Sequence, residues 1–126
     1  MEIESIDHIV LCVADVQATI DFYRRVLAFE PREERPGKWS LHFGQGKISL
    51  QEATTSPEMA RQTVPGTGNF CVLTSTPMDQ VVLRLEAEDV PIGAGPVERA
   101  GATGPILSVY FNDPDGNLVE VSNRLG

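Results

Sequence analysis

Glu120 sits in the run NLVEVS, flanked by Val119 and Val121. Alternate residues of a strand face opposite ways. The two valines therefore suit a covered side, and Leu118, Glu120 and Ser122 share the other. A carboxylate among such neighbours is costly to bury unpaired. A metal ion or a hydrogen-bonding ligand would account for it. Near the other end of the chain, His8 lies in IDHIVLCV. There Ile9, Leu11 and Val13 suit the covered side, which turns His8, Val10 and Cys12 the opposite way. His42, in WSLHF, alternates against Leu41 and Phe43 and is expected on a cavity side. It could complete a metal site, act as an acid or base near neutral pH, contact a ligand, or simply be a solvated strand histidine. Trp39 and Tyr110 could wall a ligand, or pack in a core or interface. Arg99 lies in the Gly/Ala-rich run VERAGATG, where a mobile arginine could clamp a carboxylate or phosphate. A solvated surface arginine is the plainer reading.

The elements that must carry these residues repeat. Ile6 to Val13 reads as a strand, being short and rich in β-branched residues. Asp15 can cap a helix from about Val16 to Leu27, with Ile20, Tyr23 and Leu27 on one stripe, widened by Phe22 and Val26. An extended segment begins at Phe29 to Arg32, and Pro36-Gly37 marks a turn. Trp39 to Phe43 and Lys47 to Glu52 alternate as strands around Gly44-Gln45-Gly46. The pattern restarts after a polar arm that carries a possible helical turn near Glu58 to Arg61. Phe70 to Thr74 is a strand, and Ser75-Thr76-Pro77 begins a helix, with Pro77 at its first position. Met78 to Glu88 is helical, with Val81, Val82 and Leu85 on one face. Pro91 to Val97 is extended, and Gly101 to Gly104 turns. Leu107 to Phe111 and Asn117 to Ser122 are strands joined by Asp113-Pro114-Asp115-Gly116, a proline-set turn with a glycine free to take positive φ. Leu11, Ile20 and Phe29 match Val72, Val81 and Val90 at one offset, and Phe43 matches Phe111. Such internal repetition decides the fold. The expectation is an α+β domain of two tandem βαβββ modules, forming a curved, partly closed mixed sheet with helices outside. Module one spans about 4–53, the arm about 54–67 and module two about 68–124, all within one domain over 1–126. His8 and Glu120 are then expected on one concave surface, a common setting for ligands.

Composition narrows the function. The 126 residues carry a net charge of −8, with ten scattered Lys and Arg, which opposes nucleic-acid binding. No run approaches the roughly 20 apolar residues of a membrane span. The N-terminus, MEIESIDHIV, has acids and no basic flank, unlike a signal peptide. A cytoplasmic protein is expected. Cys12 and Cys71 each sit in an apolar run and are expected to be buried, reduced thiols. No G-x-S-x-G elbow, P-loop or complete dinucleotide fingerprint is present, so no nucleotide cofactor is expected.

DHIVLCVADVQATIDFYRRVLAFEP and YFNDPDGNLVEV resemble the opening and closing motifs of vicinal oxygen chelate proteins, the glyoxalase/bleomycin resistance protein/dioxygenase superfamily. The resemblance spans nearly the whole chain and is weakest over 53–67. VPIGAGPVERAGATGPILSVYF and DPDGNLVEVSN further resemble the subgroup called glyoxalase domain-containing protein 5. The resemblance implies metal ligands at His8 and Glu120, and an imidazole with a carboxylate oxygen suits Zn, Fe, Mn, Co or Ni, leaving open positions for substrate oxygens. The second-module histidine of the family falls at Asn69, and the fourth position, a glutamate in glyoxalase I enzymes, falls at Ser49, with Gln51 on the same face. Asparagine, serine and glutamine are weak metal ligands beside imidazole. Two functions follow. One is a metal-dependent lyase, isomerase or dioxygenase-type enzyme acting on a small molecule with neighbouring oxygens, with Glu120 as ligand or proton shuttle. The other is a metal-free protein that binds a drug or antibiotic, where an acidic surface suits a cationic ligand. A homodimer is expected from the family.

Overall fold

Local chemistry starts the first helix where the sequence places it. Asp15 adopts an extended backbone, and its Oδ1 accepts a hydrogen bond from the Ala18 N–H at 3.0 Å. The helix α1 (Val16–Leu27) ends at Ala28, whose left-handed φ of 57° lets its N–H reach the Arg24 carbonyl. Phe29 N–H bonds the Tyr23 carbonyl, closing the turn in the Schellman manner. Arg24 and Arg25 in the last turn suit the negative helix end.

The computed structural model describes residues 1–52, 60 and 63–126, and the expected helical turn at Glu58 to Arg61 falls outside the described residues. The chain forms two compact units, Met1–Gly66 and Thr67–Gly126. In the first, β1 (His8–Cys12), β2 (Glu30–Arg35), β3 (Lys38–Phe43) and β4 (Gly46–Gln51) join α1. The sheet order is β1-β4-β3-β2, with β1 parallel to β4 and the other pairs antiparallel. The second unit repeats the plan with β5 (Asn69–Leu73), α2 (Met78–Ala87), β6 (Ala94–Gly101), β7 (Gly104–Asn112) and β8 (Leu118–Arg124). Its order is β5-β8-β7-β6, again with one parallel pair, β5 with β8. The α+β architecture of tandem βαβββ modules is therefore present.

Each core lies between a helix and one sheet face. In unit one, Leu11, Val13, Ile20, Tyr23, Val26, Leu41, Ile48 and Leu50 are buried. Tyr23 stacks on Phe29 at 5.7 Å, and Phe29 stacks on Phe43 at 4.4 Å, which pins the helix end to β3. Such pairs add about 0.5–1.5 kcal/mol each beyond area burial. In unit two, Met78, Val81 and Leu85 of α2 are buried, as are Val109, Phe111, Val119 and Val121 of the sheet.

Three local expectations are corrected. Pro77 occupies the cap of α2 and not its first helical position, and no side chain caps that end. A proline has no N–H to leave unpaired, so both positions tolerate it. VERAGATG is no loose loop: Arg99 lies within β6, opposite Ile106 of β7, and only the tip around residues 102–103 turns. Cys71 is exposed and Cys12 half-buried, both as free thiols. An apolar run signals a strand, but strand alternation turns these two residues to the open face, and β5 is an edge strand.

Candidate functional site

The DPDG turn builds the end of the sheet that carries Glu120. Asp113, nearly buried, accepts the N–H of Asp115 and of Asn117 on Oδ1 and the Asn117 side-chain amide on Oδ2. Gly116 takes φ +90°, a conformation that glycine adopts without strain. Asn117 Oδ1 then accepts the Gly68 N–H at 2.7 Å, which ties the start of β5 to the start of β8. With both strands anchored, their register puts Cys71 beside Glu120 and Asn69 beside Leu118, while Tyr110 of β7 lies opposite Glu120.

On the open face of this sheet, four side chains form a chain of hydrogen bonds. Ser108 Oγ donates to Glu120 Oε2 at 2.6 Å. Ser108 and Ser122 hydroxyls meet at 2.6 Å, and both residues are fully buried. Ser122 Oγ also approaches Glu120 Oε2 at 3.4 Å, and the Cys71 sulfur lies 3.3 Å from Ser122 Oγ. With the Ser108 proton spent on the carboxylate, Ser108 accepts from Ser122, and Ser122 accepts from the Cys71 S–H. Although Cys71 as a residue is exposed, partial burial of its sulfur pushes the thiol above the ordinary cysteine range, and the neighbouring Glu120 carboxylate adds to this against the Ser122 hydrogen bond. Beside them, the Arg99 guanidinium lies over the Tyr110 ring at 5.6 Å, a cation–π contact. Glu120, Tyr110 and Arg99, all singled out by sequence, thus share one face. Asn69 is exposed on its edge.

The first unit's open face carries the other predicted residues. One row runs His8, Lys47, His42, Glu30 across β1, β4, β3 and β2, and the next runs Val10, Ser49, Ser40, Arg32. Gln51 pairs with Cys12 and is buried, as is Ser49. His8 Nδ1 lies 2.8 Å from Asp7 Oδ2. Trp39 does not join this face. Alternation along β3 sets it with Leu41 and Phe43, and it lines a depression of about 340 Å³ beside Asp15, Gln17 and Glu52. Trp39 therefore stands apart from His42 and Ser40, because a one-residue step along a strand reverses the face.

Sequence reasoning did not single out Glu34, Ser40 and Lys47. Glu34 Oε1 accepts from Lys47 Nζ at 2.8 Å and from Ser40 Oγ at 2.7 Å, and His42 Nε2 lies 2.9 Å from Ser40 Oγ. The Lys47 hydrogen bond, followed by that of Ser40, holds the Glu34 carboxyl down at about 2 from the usual 4.5. A depressed acid contributes stability that is present above its unfolded value and is lost as pH falls through its folded one. The Glu34 contribution is therefore complete above 4.5 and disappears as pH falls through about 2. NMR titration of the side-chain carboxyl carbon should place the Glu34 midpoint near 2, and Lys47→Met should move it up toward 4.5. An unmoved midpoint in that variant would rule Lys47 out as the cause.

The resemblance implies a divalent metal, and the donors can be tested against that demand. On the first sheet, His8 has an ammonium, Lys47, as its cross-strand neighbour, and the position expected to hold a second ligand is the Ser49 hydroxyl. On the second, Glu120 Oε2 already takes the Ser108 hydroxyl, and Asn69 offers only an amide. Among the described residues no three His, Cys, Asp or Glu side chains gather to hold an ion. Within either sheet taken by itself, the side chains present do not supply a full transition-metal donor set.

Comparison with known proteins agrees with the duplicated fold. The family model of the Glyoxalase/Bleomycin resistance protein/Dioxygenase superfamily matches residues 5–121. The chain belongs to this superfamily, that of the vicinal oxygen chelate proteins. Virulence protein STM3117 of Salmonella typhimurium is 46% identical over 124 residues, covering 97% of this chain and 85% of that protein. The crystal structure of STM3117 superposes with a TM-score of 0.96 at 42% identity, covering 99% of this chain and all of the other. Glyoxalase domain-containing protein RDO1 of Mycosarcoma maydis is 36% identical, covering 98% of this chain and 70% of its own length. Lactoylglutathione lyase from Agrobacterium tumefaciens superposes with a TM-score of 0.74 at 26% identity, covering 98% of this chain and 96% of that one. The finer likeness to glyoxalase domain-containing protein 5 finds no support among these relatives. No helix among the described residues is long and apolar enough to cross a membrane.

Proposed function

We propose that this chain is a small-molecule-binding member of its superfamily, with Glu120 as the recognition centre. The observation that carries this reading is the way the carboxylate is held. Ser108 donates to Oε2 and is itself backed by the Ser122 hydroxyl, which leaves Oε1 for a ligand's N–H or O–H. Two buried hydroxyls fix its direction, so little ordering cost remains to be met on binding. Tyr110 offers an aromatic surface beside it, and Arg99 a polar one. With a net charge of −8, the protein favours a cationic ligand. We further propose a cytoplasmic homodimer, which sedimentation of the purified protein would test.

A rival reading is a metal-dependent lyase, isomerase or dioxygenase, supported by the likeness to lactoylglutathione lyase. One experiment separates the two. Protein purified without a polyhistidine tag is assayed for metal, and small amines and polyols are screened by thermal shift. The binding reading expects melting unchanged by chelator, and hits whose affinity drops about 10- to 100-fold in Glu120→Gln, the worth of a hydrogen bond to a charged group. Stoichiometric Zn, Fe, Mn, Ni or Co that disappears in His8→Ala would overturn it in favour of the enzyme.

A further inference from the structure

We propose that His42 is a second recognition point, a hydrogen-bond acceptor for a ligand's O–H or N–H, set in that state by a relay from Glu34 through Ser40. It lies in the other unit from Glu120 and does not depend on the reading given for Glu120.

Counting protons gives the relay its direction. The Ser40 hydroxyl has one hydrogen, and a carboxylate only accepts. The 2.7 Å contact with Glu34 Oε1 therefore uses the Ser40 proton. Across the 2.9 Å contact with Ser40 Oγ, His42 Nε2 must then be the donor. A neutral imidazole protonated at Nε2 keeps its lone pair at Nδ1. Lys47 of β4 reaches past β3 and holds Glu34 in place, with its Nζ on the same carboxylate oxygen at 2.8 Å. Ser40 is 1% exposed, so water does not compete for its hydroxyl.

His42 itself remains reachable, with a side-chain exposure of 22%. It lines a depression of about 240 Å³ with Asp7, Arg32, Lys47 and the Gly44-Gln45-Gly46 turn. The charges around the ring are Glu30, Arg32 and Glu34 from β2, Lys47 from β4, and Asp7 and His8 from the start of β1. Arg32 is paired with Glu30 at 3.1 Å and Lys47 with Glu34 at 2.8 Å. Both cations are thus answered by acids, and Asp7 adds a further negative charge. Such surroundings repel an anion and suit a hydroxyl or an ammonium group, which an unprotonated Nδ1 accepts. A histidine that only braced two strands would need no fixed tautomer and no adjoining depression.

The test uses the full chain labelled with ¹⁵N at histidine, at alkaline pH where an ordinary imidazole is neutral. Long-range ¹H–¹⁵N spectra should show His42 as the Nε2–H tautomer, and Ser40→Ala should convert it to a mixture of both. Titration of the wild type with 2-aminoethanol should shift the His42 Nδ1 resonance, and acetate, which offers only acceptors, should not. A wild-type spectrum dominated by the Nδ1–H form overturns the proposal without any variant. So does an unchanged tautomer in a folded Ser40→Ala protein, or an Nδ1 resonance that ignores 2-aminoethanol or responds equally to acetate.

Discussion

Phe111→Ala should destabilise the protein by about 3–5 kcal/mol, the range for removing a large aromatic side chain from a packed core. Phe111 is fully buried, as are its cross-strand partner Val119 and its near neighbour Val109. It lies on the side of β7 that meets α2, where Met78, Val81 and Leu85 complete the layer. Interiors pack like organic crystals, so the vacated volume would be only partly refilled. Chemical denaturation followed by circular dichroism would show the midpoint falling with little change in slope. Phe111→Leu should cost much less, because most of the volume remains. A loss below about 1 kcal/mol for the alanine variant would mean that this layer relaxes freely and is not the close-packed centre of the second unit.

Asp113→Ala should have an effect of similar order, about 2–4 kcal/mol, for a polar reason. One side chain satisfies two backbone N–H groups and the Asn117 amide. Removing it strands the donors of the buried Asn117, and each unsatisfied buried group costs about 1–3 kcal/mol. Asn117 would also be freer to release the Gly68 N–H, loosening the junction of β5 and β8. Because that junction sets the register placing Cys71 beside Glu120, the variant should weaken ligand binding as well as stability. Asp113→Asn should recover part of the stability, since an amide oxygen can still accept from the backbone. Hydrogen exchange at the Asn117 and Gly68 amides would check this. Unchanged protection at both would exclude the proposed anchoring role.

The duplicated plan could be read from the sequence because it is written in local patterns. Alternation in IDHIVLCV and NLVEVS assigned His8 and Glu120 to the open faces of their strands, and the burial of Leu11, Val13, Val119 and Val121 agrees. Asp15 announced the first helix through its capping chemistry. The same alternation sets Trp39 on the side of Leu41 and Phe43, away from His42. Arg99 is exposed, as the plainer reading of its run has it, but it stands in a strand, since Gly and Ala mark both loops and hairpin strands and only pairing with β7 distinguishes them. Cys71 was expected to be buried because an apolar run does not disclose which strand will stand at a sheet edge.

The partners of the candidate residues lay beyond reach for a different reason. Ser108 reaches Glu120 across twelve residues, Ser122 reaches Cys71 across fifty-one, and Lys47 reaches Glu34 across thirteen. Each contact depends on strand register, which is set by turns and bulges elsewhere, such as the irregularity between Glu33 and Arg35. The linear chain by itself determined the repeated βαβββ plan, the family, and the facing of His8, His42 and Glu120. Those depend on periodicity and short motifs, which act over a few residues. Only the tertiary structure decided that Glu120 is held by Ser108, with Ser122 behind it, and that His42 is tied through Ser40 to Glu34. Those depend on which strands become neighbours, and a hydrogen bond forms or fails within a few tenths of an ångström.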